Sequence, residues 1–325
     1  VATEFDLIKR FFSRPVSAEL LGGGDDCALF GVTPGFQVAT STDLLLEGRH
    51  FFSDVDPRSL GHKALAVNLS DLAAMGARPL GCLLGLGLPA IDEAWVEQFA
   101  EGFYALADRH GCALIGGDTT RSLQGVTLSV TVFGEVKPSL ALRRNAAQAG
   151  DDIWVSGTLG AADIACRMLA GEIPLDTELL QATRRALEWP TPQVELGQQL
   201  RLRAHAAIDV SDGLLQDLGH ILTASGVGAE LREQALPLHP ALSGSSKQVL
   251  LPEMLRRAAL AGGDVYELCF TAGVAQREQI ETIGQTLGLK LSCIGTVCAQ
   301  PGLFVYDQSG QVIPDLPTGF DHFRP

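Results

Sequence analysis

The sequence predicts a two-part fold of the α/β and α+β class, and three observations carry that prediction. The chain has 325 residues, more than one hydrophobic core normally serves. Strand-like and helix-like stretches alternate along it, the signature of layered α/β architecture. The pattern breaks once, at 137–150 (KPSLALRRNAAQAG), which sets the expected domains at 1–137 and 138–325.

Taking the elements in order, 5–13 (FDLIKRFFS) reads as a short amphipathic helix, followed by the loop Gly22-Gly23-Gly24-Asp25-Asp26. Strand-like runs at 27–30 and 37–46 come next. Residues 58–76 read as a long helix ended by Gly76 and then Pro79. A glycine-rich apolar strand, 80–89, precedes a helix at 92–109 for which Asp92 is the N-cap. Strands at 112–116 and 125–136 complete the first half. The second half opens with a strand at 152–156 and helices near 160–171, 176–188 and 193–203. A strand at 205–210 runs into a helix at 213–225, and further strands are expected near 265–271, 290–297 and 302–306.

Bulk composition narrows the function. Hydrophobic residues make up 46% and charged residues 19%, ordinary globular usage. The formal charge of −14 repels nucleic acid and anionic membranes, so neither is expected as a partner. The apolar run from Leu80 to Ile91 is too short to span a bilayer. Residues Glu4, Asp6, Lys9 and Arg10 do not fit a signal peptide. The seven cysteines are odd in number and none forms a CxxC pair, which fits free thiols in a cytoplasmic protein. Such an acidic chain also repels nucleotides, unless a few arginines or bound metal supply positive charge locally.

Five acidic patches meet that need. They are Gly24-Asp25-Asp26, Ser41-Thr42-Asp43, Asn68-Leu69-Ser70-Asp71, Gly116-Gly117-Asp118-Thr119-Thr120 and Asp209-Val210-Ser211-Asp212-Gly213. A single Gly-Asp or Asp-Gly pair marks a turn. Five of them, with small neighbours and hydroxyls, offer the hard oxygen ligands that Mg²⁺ prefers. Asp71 lies inside an otherwise apolar helical run, where an uncompensated carboxylate is costly. Asp43 closes the alternating run Val38, Thr40, Thr42, which places it at a strand end. No GxxxxGK[ST], protein-kinase, GxSxG or HExxH motif occurs, so any nucleotide would be held by metal and backbone.

The segments GDDCALF, STDLLLEGRHF (41–51), HKALAVNLSDLAAMGARP (62–79), GGDTTRS (116–122), IDVSDGLLQDLGHI (208–221) and GFDHF (319–323), in this order, resemble the thiamine-monophosphate kinase family. That family belongs to a wider group with aminoimidazole ribonucleotide synthetase, selenophosphate synthetase and a hydrogenase-maturation protein. The resemblance implies a two-domain aminoimidazole ribonucleotide synthetase-like fold whose N-terminal domain dimerises through its sheet, with ATP and several Mg²⁺ ions clamped between domains. It implies phosphorylation of thiamine monophosphate to thiamine diphosphate. By position, Asp26, Ser41, Thr42, Asp43, Asp71, Asp118, Asp209 and Asp212 would be metal ligands, with Asp43, Asp71 and Asp118 the most sensitive. Gly117, Asp118, Arg144 and Ser211 would contact ATP, and His50, Asp264 and Phe320 the thiamine phosphate. The family's GGEDYE stands here as Gly262-Gly263-Asp264-Val265-Tyr266-Glu267, one acid shortened and one lost. The competing readings are another ATP-dependent synthetase of the same fold, or a metal- and nucleotide-binding module without catalysis. The selenophosphate type carries a reactive Cys with a nearby Lys in its glycine-rich loop, and residues 21–25 hold neither.

Overall fold

A computed structural model describes residues 3–17, 20–22, 26–243, 250–320 and 322–323. Gly24, Asp25 and Asp321 of the acidic loop and tail motifs lie outside these. The chain divides into two compact units, Val1–Leu72 with Ala77–Ser139, and Ala73–Gly76 with Leu140–Pro325.

The first unit is built on a four-stranded mixed sheet of order β1-β4-β2-β3. Its strands are β1 Gln37–Leu46, β2 Arg78–Leu88, β3 Ala113–Arg121 and β4 Thr127–Val136. β2 and β3 are parallel, and β4 runs antiparallel to both β1 and β2. Residues alternate sides along β1: Ala39, Ser41, Asp43 and Leu45 turn inward while Val38, Thr40, Thr42, Leu44 and Leu46 are exposed. α1 (Glu4–Leu7) continues as a π-helical turn over Ile8–Phe12, in place of the single helix expected at 5–13.

α2 (Pro57–Ala74) is buried nearly all round, as its apolar composition requires. α3 (Glu93–His110) starts at Asp92, whose carboxylate accepts from the N–H groups of Ala94 and Trp95, and stops at Gly111 in the left-handed conformation. The two helices touch backbone to backbone. A methyl added at Gly61 would overlap the Phe99 carbonyl, and one at Gly102 the Arg58 carbonyl.

The second unit carries a six-stranded sheet of order β10-β7-β9-β5-β8-β6. The strands are β5 Asp152–Ser156, β6 Ala206–Asp209, β7 Gly228–Arg232, β8 Leu268–Ala272, β9 Leu291–Cys298 and β10 Gly302–Tyr306. β7 and β10 are parallel and the remaining pairs antiparallel. Among the described residues six α-helices accompany them: α4 Ala161–Leu169, α5 Thr177–Glu188, α6 Val194–Leu200, α7 Leu214–Ser225, α8 Pro252–Ala261 and α9 Arg277–Leu287. One core gathers Ile153, Ile208, Leu218, Ile221 and Ile294; a smaller one joins Ile164, Met168, Leu179 and Leu255.

Three elements, β7, α8 and α9, are absent from the sequence expectation. The strand expected at 27–30 reduces to a single bridge between Leu21 and Leu29. β3 runs on to Arg121 rather than stopping at Gly116. Gly117 permits this, with φ +154 and its Cα so close to β2 that a methyl would overlap the Leu84 carbonyl.

Candidate functional site

In the first unit, the predicted ligands are built from β1, α2 and β3. Ser41 Oγ donates to Asp71 Oδ2 at 2.5 Å, joining the inward face of β1 to α2. Asp43, two residues along, shares that face. It lies in the middle of β1 rather than at its end, because Leu44–Leu46 continue the ladder against Ser129–Thr127. Asp43 pairs with Val130, Val130 with Leu84, and Leu84 with Gly117, so these four form one row across the sheet. Three strand spacings separate its ends, roughly 14 Å.

Asp118 belongs to the next row, with Gly85, Ser129 and Leu44, and therefore faces the other side of the sheet. There it lines a cavity of about 1190 Å³ together with Asp26, Gly116, Gly117, Phe30 and Phe133. Thr42 also faces this side; its Oγ1 donates to Val130 O at 3.1 Å and accepts from Thr131 Oγ1 at 2.9 Å. The predicted ligands of this unit thus fall into two groups. Ser41, Asp43 and Asp71 lie on the α2 side, while Asp26, Thr42 and Asp118 lie on the opposite side. Among the described residues no three His, Cys, Asp or Glu side chains form a ready-made metal cluster.

His50 follows β1 in the turn closed by Gly48 and Phe51. Its Nδ1 accepts from Leu46 N–H at 3.0 Å, which leaves Nε2 as the donor in the neutral ring. The Lys63 ammonium, on α2, donates to the His50 carbonyl at 3.4 Å.

In the second unit, the residues after β6 and before β8 meet. Beyond the regular Asp209–Leu268 pair the ladder continues irregularly. Val210 N–H donates to Glu267 O, Tyr266 N–H to Val210 O, and Asp264 N–H to Ser211 O. Asp264 (φ +58) and Tyr266 (φ +54) both adopt the left-handed conformation, a strain that marks many ligand loops. Tyr266 Oη donates to Asp264 Oδ1 at 3.3 Å. Phe320 joins the same loop through its N–H to Asp212 O at 2.9 Å. Ser211, Asp212, Asp264 and Phe320 are thus brought together, with buried Asp209 at the end of β6 beside them. Arg144 stands apart from this loop, its carbonyl accepting from Ser225 Oγ at 2.9 Å.

Two residues outside the predicted set organise this corner. Asp217, buried on α7, accepts through Oδ2 from the N–H groups of Ser211, Asp212 and Gly213 at 3.0, 3.0 and 3.1 Å. Burial pushes its carboxyl up to about 7 even against those hydrogen bonds. Burial likewise raises the Asp212 carboxyl, opposed by His322 and by the Gln216 amide. Asp217 was open to the argument that singled out Asp71, since it too is an acid inside an apolar helix. The second residue is Glu267, half-buried, to which Ser156 Oγ donates while accepting from Leu268 N–H at 2.9 Å. Burial pushes its carboxyl up to about 7, offset by hydrogen bonds from Ser156 and Gln193.

The first mixed-sheet unit, with its acidic, hydroxyl-rich strands, falls in the AIR synthase-related class. The family model of the AIR synthase related protein N-terminal domain matches residues 24–136. The thiamine-monophosphate kinase of Escherichia coli K12 is 42% identical over 98% of each chain. Among solved structures, thiamine-monophosphate kinase from Stenotrophomonas maltophilia K279a is 45% identical with a TM-score of 0.83, covering 94% of this chain and 95% of that one. AaThiL complexed with AMPPCP and TMP is 29% identical with a TM-score of 0.78, covering 90% and 89%. The chain belongs to the thiamine-monophosphate kinase family.

Proposed function

We propose that this protein transfers the γ-phosphate of ATP to thiamine monophosphate, giving thiamine diphosphate and ADP, with magnesium held by its aspartates. The observation that carries the reading is the Ser41–Asp71 contact beside Asp43, where residues 30 apart in sequence converge as oxygen donors. The AaThiL complex with an ATP analogue and TMP supports it.

The donor set fits magnesium. Carboxylates and hydroxyls are hard oxygen ligands, and magnesium normally takes one or two carboxylates and completes its shell with water and substrate phosphates. Separate ions would be held by Ser41, Asp43 and Asp71 on the α2 side of the first sheet, by Asp26, Thr42 and Asp118 on its other side, and by Asp209 and Asp212 in the second unit. Bound there, magnesium would neutralise the two polyphosphate reactants and the charge of the transferring group. Gly117, Asp118, Arg144 and Ser211 contact the nucleotide in this reading, Gly117 by offering backbone that no side chain obstructs. His50 Nε2, Asp264 and Phe320 face the acceptor, Phe320 providing an aromatic surface for a cationic thiazolium ring.

The acceptor is a phosphate monoester whose second pKa is about 6, so its oxygen is already ionised near neutrality. No general base is required. Transfer then depends on in-line alignment of the two phosphates around a loose transition state. The reaction passes directly from donor to acceptor, and inversion at a chiral γ-phosphorus is the expected stereochemistry.

The same proposal includes a homodimer through the exposed face of the first sheet. There Val38, Leu44 and Leu46 of edge strand β1 are 49%, 61% and 41% exposed, more apolar surface than an edge strand normally leaves to water. A cytoplasmic setting also belongs to it, in keeping with seven cysteines outside any disulfide. No helix among the described residues is long and apolar enough to cross a membrane.

The decisive experiment mixes the purified protein with ATP, Mg²⁺ and thiamine monophosphate and follows both products. Stoichiometric ADP and thiamine diphosphate support the assignment; ADP release only with aminoimidazole precursors or selenide replaces it, and nucleotide binding without turnover removes it.

A further inference from the structure

Chain ends are usually the least constrained part of a domain. Here the C-terminal tail is laced to one loop. Phe320 N–H donates to Asp212 O at 2.9 Å, and the Gln216 side-chain amide donates to Phe320 O, also at 2.9 Å. The same Nε2 lies 3.4 Å from Asp212 Oδ2. Gly319 is wedged beneath, since a Cβ there would stand 2.7 Å from Asp212 O and 2.8 Å from Gln216 Oε1.

Gln216 is the third residue of α7, directly after the 211–213 loop whose backbone Asp217 secures. Its amide suits a junction between a carbonyl and a carboxylate because both partners are acceptors and the NH₂ group has two donors. Glutamate would keep the length but lose both donors and oppose the Asp212 charge. The arrangement fastens an aromatic side chain and an acid to one short stem.

Resting on the reading in which Phe320 meets the acceptor and Asp212 serves the ions, we infer that Gln216 is a positioning residue. It holds Phe320 at a fixed place relative to Asp212, so acceptor affinity depends on it while nucleotide affinity does not. A residue that merely tied down a chain end would alter both substrates alike, or only thermal stability.

The test is steady-state kinetics of wild type, Gln216→Ala and Gln216→Glu, varying ATP and thiamine monophosphate separately. Hydrogen–deuterium exchange of the tail peptide containing Phe320 accompanies it. Gln216→Ala is expected to raise KM for thiamine monophosphate about tenfold, the scale of one or two lost hydrogen bonds. KM for ATP should stay within about twofold, a change of some 0.4 kcal/mol. Gln216→Glu should be at least as impaired, and tail exchange should quicken in both. An unchanged acceptor KM, or equal rises in both KM values, overturns the inference while wild-type turnover leaves the functional reading intact. If wild type makes no thiamine diphosphate, that reading falls by itself. Unchanged tail exchange in Gln216→Ala then overturns the role of Gln216 independently.

Discussion

Glu267 offers a prediction whose size follows from its surroundings. Its carboxyl sits half-buried at the start of β8, where Ser156 and Gln193 donate to it, and burial still raises it from 4.5 to about 7. The folded state therefore holds a proton there that the unfolded chain releases, so stability from this group is complete below pH 4.5 and falls as pH rises through 7. The gap between 4.5 and about 7 amounts to about 3 kcal/mol once both states are ionised, most of it lost between pH 5 and 8. Glu267→Gln keeps the shape and can still accept from Ser156, but has no charge to bury. Denaturant unfolding at pH 5, 6, 7 and 8 should show the wild type losing ground to Glu267→Gln by that amount, mostly by pH 7. A gap between the two that stays constant with pH would refute the reasoning, whatever its size.

Asp71→Asn should lower kcat by about 100-fold or more without unfolding the protein, because it removes a preorganised charge while keeping an acceptor for Ser41; full activity at limiting Mg²⁺ would remove α2 from the site. Gly117→Ala should lower the melting temperature and activity together, since the methyl would overlap the Leu84 carbonyl and φ +154 disfavours a side chain; calorimetry and the kinase assay check both. Leu44→Glu places a charge on the exposed face of β1, and light scattering should then report a monomer if this face joins two copies.

Most of the fold was legible because its strongest elements carry their own signals. Asp92 capping α3, Gly111 ending it, and the alternation along β1 are local chemistry. The omissions differ in kind. α9 carries Ile280, Ile283 and Leu287 at helical spacing and stops at left-handed Gly288, a signal that was available in the sequence. β7 is five residues with charged Glu230 and Arg232 on its exposed side. α8 did carry a signal, Pro252 in its first turn.

The candidate acids can be named from the sequence, but the side of the sheet each one faces cannot be read for all of them. Period-two alternation was available in β1 and could have shown that Thr42 and Asp43 look in opposite directions. Gly116-Gly117-Asp118 reads as a turn in any one-dimensional view. Only the close approach to Leu84 reveals that the strand passes straight through it, sending Asp118 to the side away from Asp43. Likewise, that Asp217 gathers three N–H groups depends on how the chain folds back before α7.

The bare contact between α2 and α3 has a consequence for how the enzyme can vary. With glycine at 61 and 102 the two rods are welded without an intervening layer of side chains that could be repacked. Ten residues separate Gly61 from Asp71 along one rod, about 15 Å. Any bulk introduced at the weld must therefore tilt the whole rod and swing Asp71 away from Ser41, so under the proposed function damage about three turns away would register as a loss of catalysis.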